Sequence, residues 1–295
     1  MENPQEIQEM NKEVCNQFID EKELKSIING MAGAKQLLGS GGQGQVYKMK
    51  TEDGKCFYAG KTSTKELDKS LVKESNVLSK LVKDCGDYVL CFVGFHTIDN
   101  NYWVFTEYVE NFIELLTFTN AGNKLNIELV ANLIKGLQLL HDKGVAHLDI
   151  KPENILINSK TNEIRYIDFG LACMSEEICI PSGTGHYLSP EVYDIKDFES
   201  AKKQDIWSLG VMIWVCFHKF YLFSEQDVKL HSKRDKTNKI SHWMQFVKER
   251  FETYAGLKPE YLRGLWRMFN IDLNDFINMD PKKRILRFLK TAKKV

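Results

Sequence analysis

Eight consecutive residues restrict the fold of this chain more than any other feature: His147-Leu148-Asp149-Ile150-Lys151-Pro152-Glu153-Asn154, followed at once by the apolar run Ile155-Leu156-Ile157. Pro152 pushes Lys151 toward extended backbone, so the stretch reads as a loop entering a strand, not as a helix. In such a loop Asp149, Lys151 and Asn154 can converge on one point. They supply a carboxylate to receive a hydroxyl proton, a cation for a transferring phosphoryl group and an amide oxygen for a metal. Asp168-Phe169-Gly170 follows at the end of a second short strand, Ile164 to Ile167. A carboxylate there suits Mg2+. Taken singly, each residue is an ordinary polar loop residue; the order of all of them together is what carries chemistry.

Upstream the pattern is that of a small antiparallel sheet with one helix. Leu37-Leu38 leads into Gly39-Ser40-Gly41-Gly42-Gln43-Gly44-Gln45-Val46. Glycines let a strand-turn-strand approach phosphate oxygens with backbone N–H groups as donors. Gln45 to Lys50 alternates, Asp53-Gly54 signals a hairpin, and Cys56 to Lys61 returns as a strand. A helix is expected from about 66 to 82, with Leu67, Leu71, Leu78 and Leu81 facing inward. Glu74 falls on that apolar face. A carboxylate there needs a partner, and Lys61 at the strand end is the natural one; Glu66 is a weaker candidate. Val89 to His96 and Tyr102 to Glu107 read as two further strands. Residues 1–33 read as a helical extension, with Ile7, Met10, Val14 and Phe18 at helical spacing. Downstream the chain is mainly helical. An apolar stripe from Ile127 to Leu140 is bounded by Asn126 as N-cap and Gly144 as stop, and Asp205 to Phe220 reads as a buried helix.

Together these residues resemble the eukaryotic protein kinase domain, over about 34–290. The resemblance implies an α+β fold of two lobes: a small antiparallel-sheet N-lobe with one helix at 34–108, and a larger, mainly helical C-lobe at 109–295. It implies a serine/threonine protein kinase using ATP and Mg2+, with Mn2+ as an alternative ion, and a protein substrate. By resemblance Leu38, Gly39, Ser40, Gly41, Gly42, Gln43 and Gly44 cover the ATP phosphates. Lys61 contacts the phosphates and pairs with Glu74. Val46, Ala59 and Leu156 sandwich the adenine, Thr106 is the gatekeeper, and the backbones of Glu107 and Val109 meet the base. Asp149 is the catalytic base, Lys151 steadies the γ-phosphate, and Asn154 and Asp168 hold the metal. Thr184, in Gly183-Thr184, bonds Asp149 and Lys151. Asp205 braces the catalytic loop, and Glu191, after Ser189-Pro190, pairs with Arg284. Lys151 two residues after Asp149, with Thr184, is the serine/threonine pattern rather than the tyrosine one.

The chain departs from that pattern at Leu148, where the family usually has arginine. Leucine cannot grip a phosphate, so the resemblance here implies a kinase that does not depend on activation-loop phosphorylation, at Ser175 or Ser182 for example. Gly60 stands where the family prefers an aliphatic residue, which is expected to loosen the strand. Two other readings stay open, a nucleotide-binding pseudokinase scaffold and a kinase-like enzyme acting on a small molecule. Lys61, Asp149, Asn154 and Asp168 all being present weighs against the scaffold, and Ser189-Pro190-Glu191 weighs against the small-molecule enzyme. Glu114 and Glu153 hint at basic residues near the target hydroxyl.

The bulk composition excludes little. Forty basic and forty acidic residues give zero net charge, which argues for neither nucleic acid nor an anionic membrane. The polar start and the short apolar run from Leu209 to Phe217 lead us to expect no leader and no membrane span. The seven cysteines form no C-x-x-C pair and their number is odd, so free thiols in a reducing, intracellular compartment are expected, cytoplasmic or nuclear; a redox-sensitive pair of Cys173 and Cys179 is the alternative weighed against packed or exposed thiols there. The basic stretch from Lys282 reads as a solvated helix face.

Overall fold

The computed structural model describes residues 22, 24–25, 36–41, 44–51, 54–63, 69–98, 101–189, 191–219 and 281–283. They fall into two compact units. One is Met1–Asn111 with Asp168–Gly170; the other is Phe112–Ile167 with Leu171–Val295.

In the first unit the alternating segments form five strands: β1 (Gln36–Gly41), β2 (Gly44–Lys50), β3 (Phe57–Thr62), β4 (Phe92–Ile98) and β5 (Asn101–Glu107). All pairs are antiparallel, in the order β1-β2-β3-β5-β4. The expected hairpin is present at Gly54, which takes φ +71° and donates its N–H to Thr51 O at 2.9 Å; Asp53 lies outside the described residues. The β2–β3 register sets Val46 opposite Lys61, and β3–β5 sets Ala59 opposite Thr106. Helix α1 (Lys69–Lys80) buries Leu71, Glu74, Ser75, Val77 and Leu78, the apolar face that the leucine spacing anticipates. Leu67 lies outside the described residues. Met49, Cys56, Tyr58, Val93, Trp103 and Phe105 close a second core, and Leu24 of the N-terminal segment is packed among them.

The second unit contains β6 (Phe112–Glu114), α2 (Leu115–Asn120), α3 (Ile127–Asp142), β7 (Val145–Ala146), β8 (Ile155–Asn158), β9 (Ile164–Tyr166), β10 (Cys173–Met174) and α4 (Phe198–His218). Strands β6-β8-β9 form one small sheet and β7–β10 another. Helix α3 begins where expected, with Asn126 Oδ1 accepting from the Leu129 N–H at 2.8 Å. It ends at Gly144, φ +72°. Leu129, Val130, Leu133, Ile134, Leu137 and Leu140 are buried, each contributing about 1.5–3 kcal/mol. Ile127, expected on the stripe, stands at the solvent-facing first turn and is exposed. Helix α4 starts at Phe198 rather than Asp205, because Asp197 and Ser200 form a reciprocal capping box. Among the described residues no helix is long and apolar enough to cross a membrane.

The cysteines correct the sequence reading. Cys85 is bonded to Cys91 and Cys173 to Cys179, and Cys56 is also disulfide-bonded. Among the described residues only Cys216 is a free thiol, and burial pushes it up to about 12. Motif spacing missed the bridges because both close over six residues, through turns that bring the Cα atoms to 4.7 and 5.5 Å.

Gly60 does not loosen β3. The space its missing Cβ leaves is filled from both sides, by Met49 Sδ and by Phe105 Cε1 at 3.0 Å. Gly39, by contrast, faces open space. Gly60→Ala is therefore expected to destabilise the protein by about 1–3 kcal/mol through overpacking, and Gly39→Ala by no more than about 0.5 kcal/mol. Urea titrations of the two variants check the contrast; equal effects would contradict it.

Candidate active site

Pro152 has the local effect its chemistry dictates. Lys151 before it is extended, at φ −158° and ψ 164°, and Pro152–Asn154 is a single 3-10 turn running into β8. That path folds the loop back on Asp149, which is almost fully buried. Lys151 Nζ donates to Asp149 Oδ2 at 2.7 Å, and Asn154 Nδ2 donates to the same oxygen at 3.0 Å and to Asp149 O at 2.8 Å. Thr184 Oγ1 donates to Asp149 Oδ1 at 2.6 Å and accepts from Lys151 Nζ at 3.0 Å. Burial alone would raise the Asp149 carboxyl. The Lys151 and Thr184 bonds more than offset it, so Asp149 is held below its ordinary value and stays an anion. With its Nδ2 on Asp149, Asn154 has its Oδ1 turned away as a hard oxygen donor.

A second carboxylate fixes the loop from behind. Asp205 is fully buried; its Oδ2 accepts from the His147 N–H and its Oδ1 from the Leu148 N–H, both at 2.7 Å. His141 Nε2, on the buried face of α3, lies 2.9 Å from Asp205 Oδ2. The His147 ring bridges the other way. Its Nε2–H donates to Ile167 O at 3.0 Å and its Nδ1 accepts from the Asp149 N–H at 3.3 Å, which sets the tautomer. Leu148 is thereby held at φ +63°, a left-handed conformation unfavourable for leucine, with its side chain buried. Gly183 packs directly on it: a Cβ there would stand 2.6 Å from Leu148 O. Ser208 Oγ donates to Tyr187 O at 2.8 Å and Gln204 Oε1 accepts from the Ser189 N–H at 2.8 Å, so α4 also holds the segment leading to Glu191.

In the first unit, Lys61 Nζ donates to Glu74 Oε2 at 2.6 Å and to Asp168 Oδ1 at 2.8 Å. Burial would lower the Lys61 pKa, but the two carboxylates more than offset it and hold the ammonium well above its ordinary value. Asp168 sits at φ +66°. In the glycine turn, Gly41 pairs with Gly44 across β1–β2. Gly44 takes φ +130°, and a Cβ there would collide with Thr62 O. A Cβ on Gly39 or Gly41 would meet nothing within 4 Å. Gly44 is thus tight against β3, whereas Gly39 and Gly41 leave space beside them among the described residues. Gly42 and Gln43 lie outside the described residues. Thr106 and Glu107 are buried on β5, and the Glu107 carboxylate accepts from the Cys91 N–H at 3.1 Å. Leu38 and Ser40 are exposed on β1, Val46, Ala59 and Val109 are half-buried, and Leu156 is half-buried on β8 of the second unit.

The structure therefore brings together Lys61, Glu74 and Asp168 in one unit, and Asp149, Lys151, Asn154, Thr184 and Asp205 in the other. Arg284 lies outside the described residues, so its expected pairing with Glu191 does too. The sequence reading passed over His141, Gln204 and Ser208. His141 was readable, standing four residues after Leu137 on the buried stripe; Gln204 and Ser208 carry no signal beyond their nearness to Asp205. Among the described residues no group of three or more His, Cys, Asp or Glu could hold a metal.

The protein kinase domain family matches residues 33–287. The chain is 30% identical over 217 residues to the serine/threonine-protein kinase STE20 of Kluyveromyces lactis, covering 71% of this chain and 21% of that protein. It is 29% identical over 214 residues to the serine/threonine-protein kinase SCH9 of Saccharomyces cerevisiae, covering 67% and 25%. Against the CBL-interacting serine/threonine-protein kinase 8 of Arabidopsis thaliana it is 40% identical over 109 residues, 35% of the chain and 24% of that protein. These matches span a quarter or less of the relatives' own lengths.

The lowered Asp149 pKa fixes a pH dependence. A carboxylate depressed on folding contributes stability that is present above its unfolded value of about 3.9 and is lost as pH falls through the folded value. The stability difference between the protein and its Asp149→Asn variant is expected to be flat from pH 7 to about pH 5 and to shift in favour of the variant below about pH 4. Urea melts across that range measure it; a difference unchanged down to pH 2 would contradict the assignment.

Proposed function

We propose, since the chain belongs to the protein kinase domain family, that it is an active serine/threonine kinase moving the γ-phosphate of ATP onto protein hydroxyls. The observation that carries this reading is the set of bonds on Asp149, with Thr184 on one oxygen and Lys151 and Asn154 on the other. An incoming hydroxyl that replaced Thr184 Oγ1 as the donor to Asp149 Oδ1 would be oriented by a carboxylate still held by Lys151 and Asn154. A carboxylate held this far toward its anion is a weak base. That suffices for a transfer whose transition state is loose, where orientation matters more than early proton removal. Lys151 places positive charge beside the same point, where charge on the transferring phosphoryl would be neutralised.

In the same reading Lys61, braced by Glu74, binds the α- and β-phosphates beneath the glycine turn of Leu38 to Gly44. Val46, Ala59 and Leu156 enclose the adenine, with Thr106, Glu107 and Val109 along its edge. Asn154 and Asp168 offer one amide and one carboxylate oxygen for Mg2+, or Mn2+ in its place. The metal supplies Lewis-acid neutralisation of the phosphate oxygens. The Glu114 carboxyl is pushed above its ordinary value by burial and by the Glu153 carboxylate beside it, and Glu153 Oε2 is buried with no hydrogen-bond partner among the described residues. Two facing carboxylates of this kind favour lysine or arginine near the acceptor hydroxyl.

Activity without the usual phosphorylation switch follows from Leu148. Its side chain is buried and apolar, and its backbone is held by Asp205 and by the packing of Gly183. Ser175 bonds the neighbouring Glu176 carboxylate, and Ser182 bonds Ile180 O. Ser175→Ala and Ser182→Ala are expected to keep transfer rates within about twofold of the parent, since surface hydroxyls of this kind contribute little. Activity lost in either and restored by glutamate would refute the claim.

Mg-ATP assays on casein and on a peptide array test the main reading. Asp149→Asn is expected to lower transfer by about 10²–10⁴-fold with ATP binding retained. Lys61→Met is expected to impair transfer severely. Nucleotide binding by the parent without transfer to any protein would instead fit a pseudokinase scaffold.

A further inference from the structure

Glu74 meets Lys61 when helix α1 is held at one rotation and one height against the sheet. Successive side chains on an α-helix are turned by about 100° and raised by about 1.5 Å. A shift of a single residue therefore carries Glu74 off its partner. The buried side chains Leu71, Val77 and Leu78 press α1 onto its neighbours, but apolar contact is non-directional and fixes neither rotation nor height closely. Hydrogen bonds do fix them, because they weaken steeply with misalignment.

One residue of β5 makes such bonds to both elements. Tyr102 Oη lies 3.0 Å from Oγ of Ser75, the residue after Glu74. Ser75 has one hydroxyl proton and donates it to Val72 O at 2.8 Å, so the bond runs from the tyrosine hydroxyl to the serine oxygen. The Tyr102 backbone serves the other element: Thr62, the residue after Lys61, donates its Oγ1–H to Tyr102 O at 3.0 Å. The Tyr102 ring is stacked on Phe95 of β4, with centroids 5.6 Å apart, which fixes the direction of its hydroxyl. Thr62, Ser75 and Tyr102 are all buried. A tyrosine hydroxyl in such a place needs some partner, and any backbone carbonyl would satisfy it. Here the bonds of Tyr102 instead reach the residue after each member of the Lys61–Glu74 pair.

We propose that Tyr102 is a positioning residue for phosphoryl transfer, which holds β3 and α1 in the register at which Glu74 grips Lys61. The proposal rests on the kinase reading above and adds to it a residue that acts through Glu74. Without the tyrosine hydroxyl, α1 keeps its apolar packing but loses the bond that sets its rotation. Lys61 then spends less time braced by Glu74, while its bond to Asp168 remains. Glu74 is also one of the two carboxylates that keep the Lys61 ammonium protonated. Loosening it lets the Lys61 pKa fall, so that more free amine is present at alkaline pH.

Tyr102→Phe keeps the ring and removes the hydroxyl. In Mg-ATP assays on casein it is expected to lower kcat about three- to tenfold, the span of one buried hydrogen bond, with KM for casein within about twofold of the parent's. Ser75→Ala is expected to act in the same direction. The double variant should be no worse than the more impaired single one, since both remove the same bond. In the Glu74→Gln background Tyr102→Phe should change kcat by less than about twofold, because its effect runs through Glu74; a residue that merely stabilises the sheet would lower both backgrounds alike. A second readout needs no turnover. Acylation of Lys61 by a succinimidyl ester at about pH 9, followed by mass spectrometry of the Lys61 peptide, should run at least about threefold faster in Tyr102→Phe and in Ser75→Ala than in the parent. Lys61 acylation unchanged in both variants, or an equal loss of transfer with and without Glu74, overturns the positioning proposal alone. A parent protein that phosphorylates nothing overturns the kinase reading, and the acylation rates then decide whether Tyr102 holds the pair.

Discussion

Everything in the second unit that bears on chemistry hangs from Asp205. An ionised carboxylate with no solvent exposure is untenable without several donors. Asp205 has the N–H groups of His147 and Leu148, with the His141 ring against one of the same oxygens. Bonds from backbone donors to a charged acceptor are among the stronger ones a protein makes. Here they hold a leucine in left-handed backbone, a conformation that costs about 1–3 kcal/mol and persists only where surroundings over-determine it. The reversal at Leu148 is what turns the next residue, Asp149, toward Lys151, Asn154 and Thr184. The strain at one residue and the order at the next have a single cause.

The same reversal also sets the loop against the segment that follows Asp168. In a chain with arginine at position 148, a long cation would be available to a modified side chain. Leucine removes that option and leaves backbone contact: Gly183 lies so close to Leu148 O that no side chain is tolerated, and β10 pairs with β7 just ahead of His147. A cross-link from Cys173 to Cys179 shortens the free part of the segment further. Restricting a loop by a covalent bond lowers the entropy of its open states. That is a different route to order from adding charge to it.

Much of this was legible in the sequence, and the reasons differ by element. Pro152 dictated extended backbone at Lys151, and the loop took it. Glu74 in a leucine stripe needed a cation, and Lys61 is there at 2.6 Å. Asn126 and Gly144 marked the ends of α3 because capping is local chemistry. The start of α4 was misjudged for want of weight on Asp197 and Ser200, whose capping box was present to be read. Cys85–Cys91 was not legible and the pairing of Cys173 with Cys179 was set aside in favour of thiols, since C-x-x-C spacing signals metal and redox motifs, whereas these pairs are joined by turns whose geometry depends on the surrounding fold. Gly60 is a related case. A glycine reads as looseness in a strand, but its meaning is set by Met49 and Phe105, which are distant in sequence and fill the space.

Three aspartates show how far environment, rather than residue type, decides a role. Asp205 has backbone donors and a histidine on its oxygens and no exposure, so it can only support. Asp149 has an ammonium, an amide and a hydroxyl, and the hydroxyl is a donor that another hydroxyl could replace without disturbing the other two. Asp168 is bonded through Oδ1 to Lys61 and sits at a left-handed backbone position that sets its direction independently of the strand before it. A carboxylate bonded to a lysine through one oxygen keeps acceptor capacity on the other, which is what the proposed Mg2+ would require. The chemistry assigned to each thus follows from counting its donors: all permanent for Asp205, one exchangeable for Asp149, and one oxygen in reserve for Asp168.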